Sequence, residues 1–301
     1  MNVKTPTASL ECATKKHSYL RKQKTIASPQ EFSGIGLHTG QEVHMRLCPA
    51  KEGSGIFFKR TDLKDSPIVP ATIEYVFDTS RSTNIALGDV KIYTVEHVLA
   101  AVKAFEIDNL CIELSGIEPP AGNGSSDIFV DMIERAGIIE QMATSPLVFL
   151  KTPVAFCEKD VQIVAIPSDE YRISYTLHYP QSKALGTQFH SLLVNADNFK
   201  KEIASCRTFA LYEELSFLID KGLIKGASLD NSVCIKDDAV ISKGGVFFPN
   251  EMVRHKILDL IGDLSLIGIG FSCHIIAIRS GHATNYKFAK KLFNHISMEN
   301  M

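Results

Sequence analysis

The sequence predicts an α+β protein of two domains. Three observations lead there. The chain has 301 residues, about twice the length of a typical domain. Each half reads as strands followed by helices rather than as strict βαβ alternation. The pattern resets to strands around the Thr-Ser-Pro at 144–146. That places the domains at residues 23–144 and 145–301, with residues 1–22 as a flexible extension rich in Lys, Arg, Ser and Thr.

From about Gln23 the pattern is strand-like. Val43, Met45 and Leu47 alternate with His44 and Arg46, as in a half-buried strand. Residues 85–87 and 90–93 flank Gly88-Asp89, a hairpin signal. Thr94 is placed to cap a helix whose apolar face is Val98, Ala101, Val102 and Phe105. Residues 110–114 read as a short strand. After a Pro- and Gly-rich loop, Ser126 reads as the cap of a helix through Ala136, closed by Gly137. In the second half, Ile173, Tyr175, Leu177 and Tyr179 alternate. Residues 197–222 read as helical, and strands are expected near Val233 and Val246. A strong helix pattern covers 252–266. A buried strand at 273–278 and a helix from about Thr284 complete the chain.

Composition narrows the function classes. A net charge of −2 gives no global pull toward nucleic acid or an anionic membrane. No apolar run reaches the roughly 18 residues of a membrane span, and the N-terminus lacks the apolar core of a secretory signal. A transit peptide is weakened by Glu11. Seven cysteines, widely spaced and without CxxC, fit reduced thiols in a cytoplasmic protein better than a disulfide framework. The glycines of SGIGLHTG (33–40) are spaced GxGxxxG with no helix pattern after them, so a dinucleotide fingerprint does not fit. P-loop, HExxH and GxSxG motifs are absent.

The chemistry concentrates in HKILDLIGD (255–263). His255 and Asp259 are four apart in a helical pattern, so both side chains leave one face, with Asp263 a further turn on. Ile257, Leu258, Leu260, Ile261 and Leu264 lie around them. Carboxylates on a mostly buried helix are usually paired or coordinating. HxxxD alone is most often a simple His–Asp contact. Glu96-His97 strengthens the metal reading: on a helix the two point about 100° apart, so one can bind metal while the other addresses the metal's water. His282 follows Ser280-Gly281 at a strand-to-helix junction, where functional side chains are often displayed. With Asp263 to hydrogen-bond it, His282 could stay protonated near neutral pH.

TVEH (94–97), CRTF (206–209), HKILDLIGDL (255–264) and SGH (280–282) occur in this order with GIGLHTG (34–40) and the GNGSS loop (122–126). Together they closely resemble the zinc-dependent UDP-3-O-acyl-N-acetylglucosamine deacetylases of lipid A biosynthesis, from about Gln23 to the C-terminal helix. The resemblance implies two similar domains, each a helix layer on a sheet with a small insert, and an active site between them. It implies His97, His255 and Asp259 as ligands of one zinc ion per chain, a site that iron(II) could also occupy. It implies Glu96 as general base and His282 as general acid, oriented by Asp263. Thr208 would stabilise the oxyanion, and Lys256 would bind the substrate's diphosphate. An apolar passage would hold the acyl chain beside Phe209, on a helical stripe with Leu211, Leu215, Phe217 and Leu218. Tyr179 would stack on uracil, and His38 would lie near the sugar. Asn123 stands where the family has Asp, so a turn role is expected there. The expected partner is the acylated UDP-sugar; no protein partner can be inferred. Two other functions compete. A non-enzymatic sugar-nucleotide binder is disfavoured by the full metal and acid–base set. A two-metal phosphohydrolase is disfavoured by having only three candidate ligands.

Overall fold

A computed structural model describes residues 18–299. The first half is built on a five-stranded sheet of β2 (Gln30–Ile35), β3 (Glu42–Pro49), β4 (Ile56–Arg60), β5 (Ile68–Pro70) and β9 (Leu110–Leu114), in the order β2-β3-β9-β4-β5. The pairs are antiparallel except β4 with β9. β3 alternates buried Val43, Met45 and Leu47 with exposed neighbours, as its sequence requires. A small sheet of β6 (Val76–Asp78), β7 (Asn84–Leu87) and β8 (Val90–Ile92) carries the expected Gly88 hairpin. The helices are α1 (Glu96–Ala104) and α2 (Asp127–Ala136), with Gly137 closing α2 at φ 70°.

The second half repeats this topology. β11 (Val154–Glu158), β12 (Val161–Ile166), β13 (Arg172–Tyr179), β14 (Gly186–Leu193) and β19 (His274–Ile278) form a sheet in the order β11-β12-β19-β13-β14. In both sheets the last strand in sequence takes the central position and runs parallel to the third. The helices are α3 (Ala196–Glu202), α5 (Glu251–Ser265) and α6 (His282–Glu299). An insert pairs α4 (Tyr212–Asp220) with a sheet of β15 (Phe209–Leu211), β16 (Val233–Lys236) and β17 (Ala239–Ile241).

A further three-stranded sheet, β1-β10-β18, joins the halves through β1 (Ser18–Ile26), β10 (Ile138–Phe149) and β18 (Gly270–Ser272). It amends two expectations. β10 runs through the boundary expected at 144–145, because pairing with β1 carries the strand across Thr144-Ser145-Pro146. The same pairing makes Ser18 to Lys22 part of a strand rather than of an extension; the rest of the expected extension, residues 1–17, lies outside the described residues.

Other corrections are local. Thr94 does not cap α1: Val95 holds that position, and Thr94 sits at φ 54°. Ser126 is the residue before α2, but its hydroxyl makes no cap bond and donates to the His97 carbonyl instead. Residues 197–222 are two helices separated by β15, so Phe209 and Leu211 belong to a strand rather than to a helical stripe. No strand forms at Val246; β16 pairs with β15 and β17. α6 begins at His282, two residues earlier than expected. Among the described residues no helix is long and apolar enough to cross a membrane.

Every residue of α1 except Lys103 is buried, as are most of α5's. The two helices pack against each other at the centre of the molecule. Gly262 makes the approach possible, since a Cβ there would lie 2.1 Å from the Glu96 carbonyl oxygen.

Candidate metal centre

The α1–α5 crossing brings His97, His255 and Asp259 together. The potential ligand atoms of all three lie within 4.8 Å of one another, and all three residues are buried. His97 Nε2 is 3.7 Å and His255 Nε2 3.3 Å from Asp259 Oδ1. The Nδ1–H of His255 donates to the Cys206 carbonyl at 2.9 Å, which leaves the Nε2 lone pair facing inward. Asp259 divides its carboxylate. Oδ2 accepts from Lys256 Nζ at 2.6 Å, while Oδ1 is buried with no hydrogen-bond partner among the described residues. A buried, unpaired carboxylate oxygen between two imidazole nitrogens is costly unless a cation joins them. Two nitrogens and one oxygen suit a divalent ion of the zinc or iron(II) type.

The charges agree with this division. Burial pulls the His255 pKa down to about 4, so the ring is neutral and able to ligate. Burial opposes the charge of Asp259, but Lys256 and His255 outweigh it and hold the carboxyl well below the usual range.

Glu96 and His282 face each other beside the triad, with Oε1 and Nε2 3.9 Å apart. Burial raises the Glu96 pKa. The Thr83 amide donates to Glu96 Oε2 at 3.0 Å. His282 Nδ1 donates to Asp263 Oδ2 at 3.0 Å, turning Nε2 toward the site. Burial works against the imidazolium, but Asp263 and Glu96 outweigh it and bring its pKa to about 9. Asp263 is fixed in turn by the Thr83 hydroxyl at 2.5 Å and the Asn285 amide at 2.8 Å.

These groups line a cavity of about 470 Å³ at the seam of the two halves. Thr208, Phe209, Tyr179, Lys256 and His38 line it as well, so every expected site residue is at this cavity or, like Asp263, directly behind it. Leu211, Leu215 and Leu218 extend the apolar wall from β15 and α4, whereas Phe217 is exposed.

Residues 23–294 match the LpxC family model, UDP-3-O-acyl N-acetylglycosamine deacetylase. This chain belongs to that family. Curated relatives named UDP-3-O-acyl-N-acetylglucosamine deacetylase agree. The one from Chlamydia pneumoniae is 48% identical over 279 residues, 92% of this chain and 99% of the relative. The one from Chlamydia felis is 48% identical, covering 92% and 98%. The one from Chlamydia trachomatis serovar L2 is 46% identical, covering 93% and 97%.

Several supporting residues escaped the sequence reading. Glu118 is buried and accepts from the backbone amides of His38 and Thr39 and the hydroxyls of Thr39 and Thr94. It thereby holds the GIGLHTG turn and the left-handed Thr94, a conformation that costs on the order of 1–3 kcal/mol. Thr83 and Asn285 carried no sequence signal; Asn285 follows His282 by three residues, one helical turn along α6. Asn123 has the turn role expected of it: its Oδ1 accepts from the Ser125 amide and hydroxyl.

Proposed function

We propose that this chain is a deacetylase that hydrolyses the N-acetyl group of UDP-3-O-acyl-N-acetylglucosamine, a step of lipid A synthesis, with His97, His255 and Asp259 holding one zinc ion. The unpaired, buried Asp259 Oδ1 between two imidazole nitrogens carries the metal reading. A bound zinc ion would supply Lewis acidity and an acidified water.

The chain's own residues do the rest. Glu96 Oε1 takes the proton of the attacking water. A carboxylate whose pKa is raised by burial is the better base. The Thr208 hydroxyl donates to the oxyanion that develops on the acetyl oxygen. His282 Nε2 gives its proton to the departing sugar nitrogen, and Asp263 keeps it protonated and aimed. Acetate and the free amino sugar nucleotide leave. Lys256 serves two partners: it neutralises Asp259 and also lines the cavity, where it can meet the diphosphate. Tyr179 and Phe209 meet edge to face, with ring centroids 6.4 Å apart, and offer an aromatic wall to the uracil or the acyl chain. His38, whose pKa burial lowers and whose Nδ1 has no partner among the described residues, suits a sugar hydroxyl.

Acetate release is the test. Chelated protein should be inactive toward UDP-3-O-acyl-N-acetylglucosamine, and stoichiometric zinc should restore turnover. Full activity after verified metal removal would overturn the proposal.

A further inference from the structure

The C-terminal end of α1 borders a second cavity that the deacetylase chemistry leaves unused. It measures about 340 Å³ and also lies where the two halves meet. The first half contributes Val102 and Lys103, and the second half contributes Tyr171, Phe271 and Ser272.

Three hydrogen-bond donors on its wall lack adequate acceptors. Ser272 is 3% exposed, and its Oγ has no partner among the described residues. The buried Tyr171 hydroxyl has none either. Lys103 Nζ has three protons to place and, among the described residues, a single long hydrogen bond, 3.5 Å to the Ile269 carbonyl. Otherwise it lies over the rings of Phe271, 4.6 Å from the centroid, and Tyr171, 5.8 Å from the centroid. The acids nearest to it are engaged elsewhere. Asp108 takes a two-pronged bond from Arg21, and Glu106 pairs with Lys24. Burial, aided by Arg21, pulls the Lys103 pKa down to about 8, as for an ammonium short of counter-charge.

Donors alone call for an acceptor, and a cation among them calls for an anion. The acids at the rim, Glu106, Asp108 and Asp169, work against a doubly charged phosphate. One stretch of the wall is apolar, with Leu99, Leu147 and Ile269, while Ser54, Thr72 and Ser265 add neutral polar groups. We propose that this cavity is a second ligand site for a small monocarboxylate with an apolar body, whose carboxylate is received by Lys103, Ser272 and Tyr171. Ligand sites that combine an apolar patch with a few placed polar groups favour domain seams.

Titration of the metal-loaded protein with carboxyl-¹³C octanoate, followed by NMR, tests this. Octanoate should bind saturably, while octanol and inorganic phosphate should not. Lys103→Met should weaken octanoate about ten-fold or more and Ser272→Ala several-fold, since each removes a donor to a charged acceptor. Phe209→Ala, in the catalytic cavity, should leave the Lys103-dependent binding unchanged, even if octanoate also enters the acyl passage there. Unaltered deacetylase turnover in Lys103→Met and Ser272→Ala reports that both variants fold. Absence of saturable binding, equal binding of octanol or phosphate, or weakening by Phe209→Ala without weakening by the other two would overturn the proposal.

Discussion

The general-base role proposed for Glu96 rests on its surroundings. Burial raises its pKa, and the Thr83 amide fixes Oε2 so that Oε1 faces the site. Glu96→Gln keeps the shape and can still accept from Thr83, but it cannot take a proton. Its kcat should fall by about 10²–10⁴-fold, while elemental analysis still finds one metal ion per chain. Turnover within ten-fold of wild type would remove Glu96 as the base. Asp263 acts at one remove. It touches neither cavity nor metal cluster but holds Nδ1 of His282. Asp263→Asn should lower kcat about 10–100-fold and leave KM nearly unchanged, because no substrate contact is lost. A raised KM with normal kcat would instead place Asp263 in binding.

At the scale of elements, the site depends on how closely α1 and α5 approach. Gly262 lies between Asp259 and Asp263, where a glycine costs about 1 kcal/mol of helix propensity relative to alanine. That cost was a signal the sequence offered, since a glycine inside a helix pattern often marks a close contact. Gly262→Ala would drive its methyl into the Glu96 carbonyl. Overpacking of this kind should destabilise the fold by about 1–3 kcal/mol or more, and the displaced Glu96 should slow turnover too. Melting within a degree of wild type would show that the crossing can relax. Elements with a local periodicity were legible: β3, α2 and α5 fall within a residue or two of expectation, as does the short buried strand β9. The misreadings are elements defined by distant partners. β15 is three residues that exist as a strand through pairing with β16, so Phe209 and Leu211 looked helical beside α4. Thr94 has the chemistry of a cap, but Asn84 and Glu118, far off in sequence, hold it in a left-handed conformation instead.

At the scale of the molecule, both halves share one strand order, yet no repeat of residue identity betrays it. Topology constrains which positions are apolar, not which apolar residue fills them. The candidate metal site uses this doubled architecture, since His97 comes from the first half while His255 and Asp259 come from the second. An ion bound there would tie the halves together, and its binding energy would become stability of the whole fold. At a free concentration a thousand times Kd, the gain is about 4 kcal/mol. With roughly 2–4 °C per kcal/mol for chains near this size, chelation should lower the melting temperature by roughly 10 °C. The effect should need both sides of the seam. His97→Ala should melt near the chelated wild type and should barely respond to chelator, although His255 and Asp259 remain. Calorimetry of the two proteins with and without chelator separates the cases. A His97→Ala protein that still loses several degrees on chelation would mean that the ion is held by the second half alone, and α1 would then supply chemistry without supplying the bridge.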